Sequence, residues 1–263
     1  MTKVDSILRR ALDVLDDILG DTQRQPILSS PLEDEPVKPQ LHYDLLSEKT
    51  DHFKYEVGQG AFSRVYKGRL DGQLGRHEPV AVKVLDSNNP QAKAQFHNEL
   101  DCIQEVREHP NLLSLLAFSD DNPPHLCLVY PFMERGTLHE NLWLRPVDGH
   151  PLTSRQRLQI SMDVTAGLDC LHNDFSLVHR DIKPTNILLD AELRAKIADY
   201  GIVRLTPEEV ESTQVQKGTP AYMPPEAHHG DVSPKTDVYS FGVVLLNLIT
   251  SIPATVRGQY RKF

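Results

Sequence analysis

Two hydrophobic periods run through the chain, and the places where one gives way to the other divide it. Val4, Ile7, Leu8, Ala11, Leu12, Leu15, Ile18 and Leu19 recur three and four apart between charged residues, which predicts an amphipathic helix within residues 1–20, ended by Gly20. A lone helix of that length is marginal in water, so it is expected to pack on its own domain or on a partner. Residues 21–40 place Pro26, Pro31, Pro36 and Pro39 among Ser, Asp and Glu, the composition of a disordered linker. Order is expected to resume near Leu41.

Lys54 to Leu70 then reads as strand–turn–strand around Gly58 and Gly60, and Val80 to Leu85 as a short apolar strand interrupted by Lys83. Phe96, Leu100, Ile103 and Val106 set a helical period over residues 91–108, closed by His109-Pro110. Leu112 to Phe118 and Leu126 to Tyr130 read as two more strands, with a turn over Ser119 to Pro124. After these five strands and one helix the pattern turns helical. A short helix is expected around Leu138 to Leu144, and Thr153 is placed to cap a long one running through Leu171. Ala195 to Gly201 is a short strand ending in a carboxylate, and Leu205 to Lys217 is a polar stretch without period, read as a mobile loop. Ser233-Pro234 opens a last helix through Ile249, apolar on almost every side and so expected to be central and covered all round. The class this implies is α+β.

Composition changes the picture little. With 263 residues, 39% hydrophobic and 25% charged, the chain is ordinary for a soluble protein with a substantial core. A net charge of -9 argues against a nucleic-acid partner. Cys102, Cys127 and Cys170 sit within apolar runs without paired spacing, which suggests reduced, buried thiols. The first residues lack a signal-peptide pattern, and the most apolar run, Phe241 to Ile249, is too short to span a bilayer. A soluble, cytoplasmic protein with no membrane span is expected.

Candidate chemistry concentrates between two apolar runs, in the loop from Val178 to Asp190. Asp181 can accept a hydroxyl proton, Lys183 can neutralise developing charge, and Asn186 can offer a carbonyl oxygen to a hard cation. That set suits phosphoryl transfer, where positioning and charge stabilisation carry most of the catalysis. Asp199 follows across an apparent hairpin, placed to share one metal ion with Asn186 or else an ordinary turn aspartate before Gly201. Lys83 in its apolar strand needs an anion, and Glu99, beside the stripe of the next helix, is the natural one. Gly58 and Gly60 allow backbone amides to approach phosphates closely; a plain hairpin is the other reading. A strand follows them where a dinucleotide-binding turn would have a helix, which excludes that class.

In this order and at these spacings, the motifs over residues 53–252 resemble the eukaryotic protein kinases. The resemblance implies a two-lobed fold, with a five-stranded N-lobe carrying one helix and a mainly helical C-lobe. It implies transfer of the γ-phosphate of ATP, with Mg2+, to protein hydroxyls. Gly58, Gly60 and the backbone of Ser63 would cover the phosphates, and Val65, Ala81 and Leu188 would sandwich the adenine. Lys83, paired with Glu99, would hold the α- and β-phosphates. Tyr130 matches the gatekeeper, and Pro131, Phe132 and Met133 the hinge. Asp181 would accept the substrate proton, Lys183 would touch the γ-phosphate, and Asn186 and Asp199 would hold magnesium. Asp237 is implied to brace the Asp181 loop from below. Lys183 with Gly218-Thr219 is similar to the serine/threonine pattern. Arg180 before Asp181 implies regulation by loop phosphorylation, with Ser212, Thr213 and Thr219 as the regulatory candidates.

Three departures from the family pattern are visible: Ser63 for the third glycine, Tyr200 for phenylalanine and Pro224 for alanine. Leu126 to Tyr130, His179 to Asp190 and Asp237 to Val244 are similar to the interleukin-1-receptor-associated kinase and Pelle group, itself similar to plant receptor-like kinases. That resemblance implies receptor-proximal, innate-immune-like signalling, with protein substrates and a receptor or adaptor complex as partners. The family's C-lobe continues past the helix at 234–250, so an incomplete C-lobe is expected, then a basic tail over 253–263. Phe241, Val244, Leu245 and Leu248 would lose cover and Glu226 its arginine. Burial of one such side chain is worth about 1.5–3 kcal/mol against a net stability of about 5–15 kcal/mol. The second reading is therefore a catalytically impaired, kinase-like scaffold that binds nucleotide or partners.

Overall fold

The computed structural model describes residues 38–72, 78–106, 108–144, 149–200, 204–205, 218–229, 231–256 and 259–260. The helix expected within residues 1–20, the linker up to residue 37, and Ser212 and Thr213 lie outside the described residues.

Five strands form one antiparallel sheet: β1 (Glu56–Gln59), β2 (Ser63–Arg69), β3 (Pro79–Asp86), β4 (Ala117–Asn122) and β5 (His125–Pro131), in the order β1-β2-β3-β5-β4. Val65 lies opposite Lys83, Lys83 opposite Leu128, and Ala81 opposite Tyr130, so the period of two puts all five on one face. On that face Leu85, Leu126, Leu128 and Tyr130 join the main core, with Phe96 and Ile103 of helix α2 (Pro90–Glu105). Val80, Val82, Cys127 and Val129 form a second cluster on the opposite face, closed by Leu46 of α1 (Tyr43–Lys49). Asn89 caps α2 by accepting from the Gln91 and Ala92 amides, with Pro90 in the first turn. The seven residues of α1 bury a single apolar side chain, too little period to reveal a helix in the sequence.

The fourth strand starts later than its hydrophobicity predicts. Leu112, Leu113 and Leu115 are buried, but the Leu112 and Leu113 backbone meets Ile197 instead of the sheet, with the Leu113 amide donating to Ile197 O at 2.9 Å. The observed strand reads as polar because it is the sheet edge, where Asp120 accepts from Gln40 and Asp121 pairs with His42 and the Tyr43 amide. Residues 38–40, the end of the stretch read as linker, follow the same edge: the Phe118 amide donates to Pro39 O at 3.1 Å.

The second half is mainly helical. Helix α3 (Ser154–Asp169) opens on the expected cap, a reciprocal box between Thr153 and Gln156, and passes into a wider π-type turn at Cys170–Asp174. The short helix expected near Leu138 is also a π-type turn, Glu140–Leu144. Two small pairs flank the Val178–Asp190 loop: β6 (Leu177–Val178) with β9 (Arg204–Leu205), and β7 (Ile187–Leu189) with β8 (Ala195–Ile197).

Helix α4 (Pro234–Thr250) corrects an expectation. Asp237, Ser240, Val244, Asn247 and Leu248 face inward, but among the described residues nothing covers Val238, Tyr239 and Ile249, the last of them 76% exposed. Val244 and Leu248, which were expected to lose cover, are buried, while Phe241 and Leu245 pack at the margin of the core. A helix apolar all round presents one of its faces to its neighbours, and here that face includes two of the four residues in question. Glu226 is exposed. Thr255–Val256 and Gln259–Tyr260 pair as β10 and β11 in the stretch read as a basic tail. The three cysteines are buried, and among the described residues no helix is long and apolar enough to cross a membrane.

Candidate active site

Glu99 falls in the apolar stripe of α2 between Phe96 and Ile103, which turns its carboxylate under the sheet toward Lys83. Lys83 Nζ donates to Glu99 Oε2 at 2.6 Å, and the Tyr130 hydroxyl donates to Oε1 at 2.5 Å. Both oxygens of a carboxylate only 1% exposed are thereby satisfied. Burial lifts the Glu99 carboxyl above its usual range, against the pull of Lys83 and Tyr130. Burial and the adjacent Glu99 push the Tyr130 hydroxyl well up, so it stays a donor. For Lys83, burial works against the charge, but Asp199 and Glu99 together hold its pKa above the ordinary lysine value.

Lys83 also reaches Asp199 Oδ1 at 3.0 Å, and Gln95 Nε2 donates to the same oxygen at 3.2 Å. Asp199 adopts left-handed backbone, φ 69°. The Lys83 charge depresses its carboxyl to about 2, over the opposing effect of burial. A depressed carboxyl stabilises the fold above its unfolded value, roughly 3.9, and that contribution is lost as pH falls toward the folded value. Carbon-detected NMR is therefore expected to find Asp199 ionised from about pH 7 down to about pH 4; a midpoint in the ordinary carboxylate range would contradict the Lys83 contact. Tyr200 is 1% exposed in the main core with Ile103 and Leu115, its ring 5.9 Å from that of His179. Its hydroxyl donates to Ile197 O at 3.0 Å, so the tyrosine is accommodated without an orphaned polar atom.

The β7–β8 hairpin brings Asn186 beside Asp199: the Ala198 amide donates to Asn186 O at 2.9 Å. Asn186 Nδ2 donates to Asp181 O and Oδ2 at 2.9 and 3.1 Å, which leaves its Oδ1 with only the Thr185 hydroxyl at 3.5 Å. Lys183 Nζ donates to Asp181 Oδ2 at 2.6 Å and to Thr219 Oγ1 at 2.8 Å. The Thr219 amide and hydroxyl donate to Asp181 Oδ1 at 3.0 and 2.8 Å. Thr219, expected as a regulatory hydroxyl, is thus committed to Asp181 and Lys183.

The floor of the loop is Asp237, 0% exposed. Its Oδ1 accepts the Arg180 amide at 2.7 Å; its Oδ2 accepts the His179 amide at 2.7 Å and lies 2.8 Å from His172 Nε2. Arg180 sits at φ 71°, a left-handed conformation that these bonds hold in place. His179 Nε2 lies 3.0 Å from Ala198 O while the Asp181 amide donates to Nδ1 at 3.3 Å, so a proton on Nε2 satisfies both.

At the glycine turn, Gly58 lies opposite Val65, and the Gly60 amide donates to Ser63 O at 2.8 Å. That amide closes the turn. A side chain at Gly60 would meet Ser63 Oγ at 2.7 Å. In the hinge, the Phe132 amide donates to Pro79 O at 3.1 Å, while the amide of the buried Met133 has no acceptor among the described residues. Leu188, half-buried on β7, bridges Thr137 below the hinge.

These residues fit a nucleotide with a divalent cation. An unpaired amide at Met133 suits a base, a buried lysine suits phosphate, and Asn186 Oδ1 and the second oxygen of Asp199 are open to a hard ion. Among the described residues no three His, Cys, Asp or Glu cluster to hold a metal unaided. Magnesium, which completes its shell from water and phosphate oxygens, asks for only one or two carboxylates. Sequence reading missed two residues here: Gln95, one helical turn before Glu99, and His172, in the π-type turn that follows α3.

A five-stranded sheet over a helical part, with this set of polar groups between them, is the two-lobed α+β fold of a phosphotransferase. The profile of the family described as "Protein tyrosine and serine/threonine kinase" matches residues 52–260, and the chain belongs to that family. It is 38% identical over 226 residues to a probable LRR receptor-like serine/threonine-protein kinase of Arabidopsis thaliana, covering 84% of this chain and 25% of that protein. It is 39% identical over 222 residues to a leaf rust 10 disease-resistance locus receptor-like protein kinase of the same plant, covering 83% and 31%. A receptor protein kinase of Oryza sativa subsp. japonica is 40% identical over 220 residues, covering 80% and 23%. The chain therefore spans about a quarter to a third of the length of the curated relatives it matches.

Proposed function

We propose that the chain is a serine/threonine protein kinase that transfers the γ-phosphate of ATP to protein hydroxyls. The observation that carries this reading is the Asp181 carboxylate, held by Lys183, Asn186 and Thr219 beside two open metal-type oxygens. Bound ATP supplies the phosphoryl group, and bound Mg2+ offsets its charge. Asp181 is placed to accept the proton of an attacking hydroxyl, and Lys183 to stabilise charge on the oxygens it faces. Lys83 holds phosphate oxygens while Glu99 fixes its position, and Asn186 and Asp199 hold the metal. Val65, Ala81, Leu188 and the Met133 amide receive the base.

The names of the relatives support a place close to a receptor, as does the resemblance of Leu126 to Tyr130 to the interleukin-1-receptor-associated kinase and Pelle group; a cytoplasmic location is part of the same proposal. Incubation with radiolabelled ATP, Mg2+ and a basic acceptor protein, followed by acid hydrolysis, is expected to yield labelled phosphoserine and phosphothreonine. Label on phosphotyrosine alone would overturn the specificity. A second reading, a scaffold without transfer, draws on the exposed Val238, Tyr239 and Ile249. Nucleotide binding with no label transferred would favour it.

A further inference from the structure

Asp199 presents its two oxygens differently. Oδ1 takes donors from two elements of the sheet lobe, Lys83 Nζ on β3 at 3.0 Å and Gln95 Nε2 on α2 at 3.2 Å. Oδ2 makes no hydrogen bond with any described residue, and the side chain is 38% exposed. We infer that Gln95 is a positioning residue for the metal site: its amide holds Asp199 Oδ1 so that Oδ2 faces the cation. The inference rests on the kinase reading, in which Asp199 is a metal ligand.

Lys83 cannot serve that purpose throughout. Its ammonium also neutralises Glu99 and is the group placed for phosphate, so a phosphate draws it away from Asp199. Gln95 then remains as the side-chain donor on Oδ1. The amide suits the task because it donates without adding charge. A glutamate would repel Asp199, and a lysine would compete with the metal for it. Gln95 and Glu99 stand one turn apart on the same face of α2. A single displacement of that helix would release both the phosphate lysine and the metal aspartate, so the position of α2 sets both halves of the site together. Outer partners of this kind typically change metal affinity by about 10- to 100-fold when removed.

The test measures ADP binding by titration calorimetry, first in EDTA and then across a Mg2+ series. It compares wild type, Gln95→Met (same length, no amide), Gln95→Glu, and Lys93→Ala on the exposed side of α2 as a control. The expected result is unchanged affinity in EDTA for Gln95→Met and Lys93→Ala. The Mg2+-dependent gain should fall about 10-fold in Gln95→Met and remain intact in Lys93→Ala. Gln95→Glu, which keeps a polar group of similar size, should lose at least as much of the gain and serves if the methionine variant does not fold. Equal Mg2+ gains in wild type and both Gln95 variants would overturn the inference. So would an equal loss of affinity with and without the metal, which would mark Gln95 as a general support of the cleft. Failure of wild type to bind ADP under any condition would overturn the kinase reading and this inference with it.

Discussion

Replacing Asp237 by alanine is expected to lower the free energy of unfolding by about 3–5 kcal/mol and to remove phosphoryl transfer. The reason is the number of groups that depend on one fully buried carboxylate: the His179 and Arg180 amides and His172 Nε2 all lose their acceptor. Each buried donor left without a partner costs about 1–3 kcal/mol. Arg180, at φ 71°, would also lose the bonds that hold its left-handed turn, the residue directly before Asp181. Asp237→Asn keeps one acceptor oxygen and should fall between the two. Urea denaturation followed by tryptophan fluorescence measures the change. A wild-type midpoint for the alanine variant would mean that the loop does not rest on α4.

Lys83→Met is expected to abolish measurable nucleotide-dependent transfer and to make stability fall as pH rises. Removing the lysine leaves Glu99, 1% exposed, with the Tyr130 hydroxyl as its remaining side-chain partner. Burial already lifts its carboxyl, and the loss of Lys83 removes the chief influence opposing that rise. A carboxyl raised in the folded state stabilises the fold below its unfolded value, about 4.3, and the contribution is lost as pH climbs through the folded value. The gap between wild type and variant should therefore widen from mildly acid to neutral pH, where breaking a buried pair typically costs about 3–5 kcal/mol. In the same variant Asp199 loses the charge that depresses it and should titrate above about 2. Thermal melts across pH measure the first effect; a pH-independent gap would show that Glu99 is not the group left exposed to the loss.

What the sequence revealed followed from how local each signal was. Lys83 stood out because a charge in an apolar strand needs a partner, and Glu99 lay in the next helix at the right phase. The Asp181 loop stood out because apolar strands bracket it. β4 was misplaced because Leu112, Leu113 and Leu115 are buried beside the β7–β8 hairpin and the helical core, whereas the strand itself carries Asp120 and Asp121 at a sheet edge covered by residues 38–43. Hydropathy reports burial, and here burial and sheet pairing belong to different residues. Gln95 and His172 escaped notice for another reason. Each meets an aspartate more than sixty residues away, and only the closed fold brings them there. The outward face of α4 was misjudged because an all-apolar helix does not announce which face its neighbours will take.

In the proposed reaction Asp181 is the base, and the other groups of the site stand around it. The rate of label transfer from γ-labelled ATP by wild type and by Asp181→Asn, alongside ADP affinity for both, tests that role. Asparagine keeps the shape and one acceptor oxygen for the donors around it but cannot take the proton. The expected result is a fall in rate of about 10²–10⁴-fold with ADP affinity unchanged. Equal transfer by the two proteins would contradict the assignment of Asp181 and the account built on it.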